Sequence, residues 1–139
     1  MLHGTRFLFS APPIAAVPSA GTGLEASWRR CQHDYGLNPA TPALPCVLSG
    51  AELRQSCQRA GRVMHFAAPE LDLLHAALEP VGYTVMLADT EGVVLDHRTA
   101  PPIRRGCRRW HFWPGAVWHE RDAGTNGIGT CLAEQRSVS

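Results

Sequence analysis

The chain lacks lysine altogether, and all thirteen of its basic residues are arginine. A Walker-type phosphate loop needs a lysine after its glycines, so the composition excludes that loop. No stretch approaches the ~20 consecutive apolar residues of a membrane-spanning helix, and we therefore expect no membrane contact. The formal net charge is only +1, which predicts no general attraction to nucleic acid.

The chain has five cysteines, an odd number, and no two of them have the spacing of a C-x-x-C motif. An odd set without that spacing disfavours a disulfide framework and indicates a reducing, cytoplasmic location. The five are Cys31, Cys46, Cys57, Cys107 and Cys131.

Breaks in the pattern divide the 139 residues into three parts. Residues 1–22 are predicted to be a flexible leader, since Pro12 and Pro13 interrupt its apolar part and disfavour a secretory signal. Residues 23–47 are predicted to be an N-terminal helix and a linker, and residues 48–139 one partial domain. The helix is indicated by an apolar stripe at spacings of four, three and four: Leu24, Trp28, Cys31 and Tyr35.

Two helices and a hairpin are predicted in the middle of the chain. Ser49 and Glu52 form an S-x-x-E capping box, which predicts a helix beginning there. Pro69 suits the first turn of a further helix. Residues 83–89 and 93–97 are predicted to be strands joined by a short turn that contains Gly92. Helices followed by a hairpin predict an α+β fold with an antiparallel sheet.

The segment 101–114 is rich in arginine and tryptophan and is predicted to be irregular. A mixture of basic and aromatic residues is compatible with nucleic-acid binding. The near-neutral charge of the whole chain favours instead a partly exposed loop whose aromatic rings cover a cavity. Cys107, His111 and His119 resemble half of a zinc site, but a second close ligand pair is missing. We therefore expect no metal and no cofactor.

The stretch AGTNGIGTCLAEQ, residues 123–135, has three glycines within six positions. Their order differs from the G-x-G-x-x-G of a dinucleotide site, which disfavours phosphate binding. The alternative is a helix entry, in which Asn126 caps the first turn while Gly127 and Gly129 allow a close approach to a neighbour or a ligand.

Four segments in the same order carry a resemblance to a known family. They are SWRRCQHDYGLNPA (27–40), PELDLLHAAL (69–78), GYTVMLADTEGVVLDHR (82–98) and WPGAVWHERDAGTNGIGTCLAEQRSV (113–138). Together they resemble the N-terminal sensory region of sigma-54-dependent enhancer-binding transcriptional activators of the acetoin-catabolism regulator type.

This resemblance implies a GAF-like antiparallel sheet with flanking helices, preceded by an N-terminal helical segment, and a pocket for a small-molecule effector. The family continues with more strands after Val138, so the sheet is expected to be incomplete. The ATPase and DNA-binding modules are also expected to be absent, so no direct contact with nucleic acid is expected. Four residues are expected near the pocket: Trp113, Trp118, Asn126 and Thr130.

The resemblance implies a sensory domain and not an enzyme, with a homodimer formed through the N-terminal helices. A second hypothesis is a dimerisation or protein-interaction module that binds no ligand. A redox enzyme using Cys107 or Cys131 is a third hypothesis, for which the only sequence support is the arginines near Cys107, which favour a reactive thiolate.

Overall fold

The computed structural model describes residues 21–138, with side chains described from residue 23 onward. The predicted leader lies outside these residues, apart from residues 21 and 22, which begin the first helix. The helices are α1 (Gly21–Arg29), α2 (Gly50–Arg59), α3 (Gly61–Leu78), α4 (Arg104–Arg109), α5 (Glu120–Ala123) and α6 (Gly127–Glu134). The strands are β1 (Cys46–Val47), β2 (Val85–Ala88), β3 (Val94–Arg98) and β4 (Ala116–Val117).

The predicted hairpin is confirmed. Strands β2 and β3 are antiparallel, and the turn between them is held by Asp89, whose carboxylate accepts from the backbone N–H groups of Glu91 and Val93, both at 2.9 Å. Gly92 adopts a φ of 79°, a left-handed conformation that glycine takes without steric cost. The sequence T-E-G thus closes the hairpin through an Asx-type turn.

A second antiparallel pair joins distant parts of the chain. Strand β1 pairs with β4, so that Cys46 lies opposite Val117. An isolated bridge between Val93 and Val117 connects this pair to the hairpin, and the N–H of Gly115 donates to the carbonyl of Val94 at 2.8 Å. The predicted α+β class with an incomplete antiparallel sheet is confirmed.

The core lies where the hairpin meets α3. Val93, Val94 and Leu95 are all buried. Successive side chains of a strand point to opposite faces, so burial of all three means that this part of the sheet is covered on both sides. Leu71 of α3 is also buried, and α3 packs against β2 and β3. In the described part of the chain, no helix is long and apolar enough to cross a membrane.

The predicted helix start at Pro69 is wrong, because α3 begins at Gly61 and includes Pro69 in its interior. An interior proline removes one backbone hydrogen bond. Packing of the whole helix on the hairpin offsets that loss, since helices in proteins are stabilised mainly by burial of one face. The capping box of α2 is confirmed, with Ser49 and Glu52 each accepting from the other's backbone N–H.

The segment predicted to be irregular contains a 3-10 turn, Pro101–Ile103, followed directly by α4. The paired prolines favour this turn because their fixed φ suits the start of a helix. Cys107 is buried and fixes α4 against the body of the protein. The sequence pattern missed this helix because it buries only one side chain.

The predicted apolar stripe of α1 is only partly buried. Cys31 is buried, but Leu24 and Trp28 are exposed by 45% and 52%. The inward position between them is taken by Ser27, which is fully buried. After Arg29 the helix continues as a π-helical turn, Arg30–Asp34, which carries Arg30 and Cys31 toward the same side as Ser27.

Candidate functional site

The glycine-rich stretch is a helix entry, as predicted. The amide oxygen of Asn126 accepts from the N–H of Gly129 at 2.8 Å, and its amide nitrogen donates to the carbonyl of Gly124 at 2.8 Å. Asn126 therefore caps α6 and also fixes the preceding turn.

Gly129 marks a very close contact between α6 and the segment before it. A Cβ at this position would lie 2.7 Å from the backbone nitrogen of Glu120 and 2.8 Å from the carbonyl oxygen of Trp118. These distances are too short for any side chain, so the predicted close approach is confirmed here, and its partner is backbone.

The close approach buries a polar cluster between α1, α5 and α6, which we call the polar junction. Arg30 donates from Nε to Oε2 of Glu120 at 2.8 Å and from a terminal nitrogen to Oε1 at 3.0 Å. Ser27 donates to the same Oε1 at 2.6 Å, and Thr130 donates to Ser27 at 3.2 Å. The junction consists of Ser27, Arg30, Glu120, Thr125, Thr130 and Glu134.

Arg30 is the one cation of the junction, and it binds both of its carboxylates, Glu120 and Glu134. Burial acts to raise the pKa of the Glu120 carboxyl, but interactions with Arg30, Ser27 and Thr130 outweigh burial and hold this pKa below its ordinary value. Glu134 also accepts from Arg30, which lowers the Glu134 pKa. The carboxylate of Glu120 is therefore ionised and fully satisfied although it is fully buried.

A separate cleft of about 340 Å³ opens where α3, the end of β3 and the start of α4 meet. Its wall combines ionisable side chains with one aromatic ring. The lining residues are Asp72, His75, Ala76, Glu79, His97, Arg98, Thr99, Arg104 and Trp113.

The two arginines of the cleft differ in what they already bind. Arg98 forms ion pairs with Asp72 of α3 and with Asp96, the latter at 2.8 Å. Arg104 has no ion-pair partner among residues 21–138. Its guanidinium is the one in the cleft that is free to bind a ligand.

His97 and Trp113 lie together in the cleft, with ring centroids 4.2 Å apart. Burial is the largest effect on His97 and lowers its pKa; the negative charge of Asp96 opposes it, and the positive charges of Arg98, Arg104 and Arg108 add to the lowering. The imidazole is therefore neutral at pH 7 and can donate one hydrogen bond and accept another. The Arg108 guanidinium lies 4.4 Å from the centre of a Trp113 ring in a cation–π contact.

The four residues predicted to line a pocket are not brought together in this cleft. Trp113 lines it. Trp118 stacks on Phe112 with centroids 5.0 Å apart and donates from its indole to the carbonyl of His111. Asn126 caps α6, and Thr130 belongs to the polar junction. Ligand contact by any of the four stays a prediction.

Sequence reasoning missed the ionisable residues of the cleft. His97 and Arg98 are the last residues of β3, and Arg104 opens α4, so these three meet through the short connection between the two elements. Their position at a strand end before a proline pair was the available signal. In the described region, no group of three or more His, Cys, Asp or Glu residues is placed to hold a metal ion.

Comparison with known proteins adds the functional context. The chain is 32% identical over all of its 139 residues to an acetoin catabolism regulatory protein from Cupriavidus necator, of which it covers 21%. It is 35% identical over 106 residues (76% of the chain, 17% of the relative) to an acetoin dehydrogenase operon transcriptional activator from Bacillus subtilis. It is 30% identical over 115 residues (83% of the chain, 18% of the relative) to a signal-transduction and transcriptional-control protein from Clostridium beijerinckii.

The chain therefore spans about a fifth of the length of these curated relatives. No family model matches it, and no solved structure matches it. All three relatives carry names that describe control of transcription or of catabolism. The chain is thus similar, over most or all of its length, to a family of transcriptional regulators.

Proposed function

We propose that this chain is the signal-sensing region of a sigma-54-dependent transcriptional regulator, with a GAF-like fold, and that its cleft binds a small-molecule effector. Remodelling of the transcription machinery and DNA binding would belong to modules outside this chain. The observation that carries the proposal is the cleft, whose wall combines the unpaired Arg104 with the His97 imidazole and the ring of Trp113 that it contacts.

The lining of the cleft favours a small, polar effector. Its volume of about 340 Å³ lies near the lower end of the range for ligand sites. Trp113 offers an apolar surface, while His97 and Arg104 offer directed hydrogen bonds to a carbonyl, hydroxyl or carboxylate. Since two relatives are named for acetoin, small hydroxyketones are the first effectors to test.

Calorimetric titration with hydroxyketones, short carboxylates and small aromatics tests the proposal. Arg104→Ala removes the free guanidinium of the cleft, and we expect it to weaken binding about tenfold, since a hydrogen bond to a charged group contributes about 1.5 kcal/mol or more. Arg105→Ala is the matched control, because Arg105 is its exposed neighbour and does not line the cleft. We expect the control to bind like the wild type.

Two results would count against effector binding in the cleft. One is the absence of any heat of binding across the panel for the wild-type chain. The other is equal weakening in Arg104→Ala and Arg105→Ala, which would assign binding to general positive charge and not to the cleft.

We also propose, as a second function, that α1 mediates a homodimer. Leu24 and Trp28 are four residues apart on α1 and exposed, whereas Ser27 between them faces the polar junction. Residues at this spacing share one helix face, so α1 presents an apolar pair outward. Sedimentation velocity of Trp28→Glu tests the homodimer, and Trp110→Glu, at another exposed tryptophan, is the control. A wild-type chain that is monomeric at high concentration would refute the homodimer.

A further inference from the structure

Helix α4 buries one side chain, that of Cys107. Cys107 is buried, with its sulfur 3.4 Å from Oγ1 of Thr84 and 3.5 Å from Oγ1 of Thr99. The other residues of the helix are exposed, and four of the six are arginines: Arg104, Arg105, Arg108 and Arg109. A short, strongly basic and mostly exposed helix therefore lies on the surface of a nearly neutral chain.

The arginines form two rows with different surroundings. Arg104 and Arg108 are four residues apart and face the cleft, where Arg104 is part of the wall and Arg108 lies over Trp113. Arg105 and Arg109 form the second row, and Arg109 lies 5.9 Å from the ring centre of the exposed Trp110. We call Arg105, Arg109 and Trp110 the outer face of α4.

This arrangement is electrostatically unfavourable at the start of the helix, whereas Arg108 and Arg109 lie favourably in its last turn. Like charges at positions i and i+4 repel each other, and α4 contains two such pairs. The first turn has no acidic residue, so its arginines meet the positive end of the helix dipole. Among the described residues, no carboxylate forms an ion pair with any of these four arginines. An anionic partner would relieve all three conflicts.

The geometry favours a compact protein partner over an extended nucleic acid. Six helical residues rise only about 9 Å, which is too short to follow a phosphate backbone. On the cleft side the basic surface ends at the carboxylates of Asp72 and Glu79, which would repel a continuing polyanion. Exposed tryptophan beside arginine is also the combination that contributes most to protein–protein interfaces.

We propose that the outer face of α4 is a docking surface for an acidic segment of a partner protein. Arg105 and Arg109 pair with carboxylates of that segment, and Trp110 packs against its backbone and apolar side chains. This surface is independent of effector binding, because none of its three residues lines the cleft.

Fluorescence anisotropy with a labelled dodecapeptide of alternating Asp and Glu tests the docking surface on the full chain. We expect charge reversal in Arg105→Glu/Arg109→Glu to weaken binding at least about tenfold at about 0.15 M salt, where charges more than about 8 Å from the peptide are largely screened. Arg54→Glu/Arg62→Glu is the matched control, because it makes the same charge change at exposed positions of α2 and α3. We expect the control to bind within about twofold of the wild type.

Circular dichroism of both double variants checks that each protein is folded before their peptide binding is compared. Trp110→Ala adds a charge-neutral test, and we expect it to weaken peptide binding without altering the salt dependence. The proposal is overturned if the wild-type chain does not bind the peptide, or if both double variants lose binding equally. It is also overturned if a single-stranded or duplex oligonucleotide of equal charge binds more tightly than the peptide.

Discussion

Arg30 and Glu120 form a two-pronged ion pair although they are 90 positions apart in the chain, with N···O distances of 2.8 and 3.0 Å. Glu120 is fully buried, and Arg30 is about one-fifth exposed. The pair joins the N-terminal helix to the glycine-rich helix entry near the other end of the chain.

Replacing Glu120 with Gln should destabilise the protein by about 2 kcal/mol, because Arg30 keeps its ion pair with Glu134 but loses its charged hydrogen bonds to Glu120. Urea denaturation followed by circular dichroism measures this change. Glu70→Gln is the control, since Glu70 is exposed on α3, and we expect it to change stability by less than about 0.5 kcal/mol. Equal stability of the two variants would show that the pair contributes nothing net.

The same carboxylate makes stability depend on pH. Its pKa in the folded chain lies below the ordinary value of 4.5, so the unfolded chain takes up its proton first as the pH falls. The stabilisation is complete above pH 4.5 and is lost as the pH drops below that value toward the folded pKa. We expect denaturation curves of Glu120→Gln to depend less on pH in this window. We expect the remaining dependence of stability on pH to come from Glu134 and Glu52, whose pKa values are also lowered.

Replacing Gly129 with Ala should destabilise the protein, whereas replacing Gly106 with Ala should stabilise it. Gly129→Ala places a Cβ against backbone atoms that cannot move aside, and we expect a loss of about 2 kcal/mol. Gly106 lies in α4 with no atom within 4 Å of its would-be Cβ, so Gly106→Ala should stabilise by up to about 1 kcal/mol. Thermal denaturation of both variants checks the pair, and a tolerated alanine at 129 would mean that α6 can shift away.

Substitution of Asn126 separates its capping role from the predicted ligand contact. Asn126→Ala should cost about 1 kcal/mol through loss of the cap. Asn126→Asp keeps the acceptor oxygen for Gly129 but loses the N–H group donated to Gly124, so it should retain only part of that stability. If either variant also weakened effector binding while remaining folded, the predicted ligand contact of Asn126 would gain support.

Local features could be predicted from the sequence, and distant contacts could not. The capping box at Ser49, the hairpin turn at Gly92 and the cap at Asn126 each involve residues within four positions of one another. The polar junction was missed because Ser27 and Glu120 are 93 positions apart, and nothing near Ser27 marks it as buried. The helix start predicted at Pro69 is wrong for a related reason. Packing of α3 on the hairpin outweighs the local preference of proline for the first turn of a helix.

The polar junction also has a consequence for the order in which the molecule assembles. During synthesis, α1 emerges long before its partners, since Arg30 precedes Glu120 by 90 residues and Ser27 precedes Thr130 by 103. Closing a loop of that length costs entropy that a short helix cannot offset alone. We therefore expect docking of α1 to be a late step that follows folding of the hairpin and of α6. Among the helices described, α1 is therefore expected to be synthesised first and to dock last.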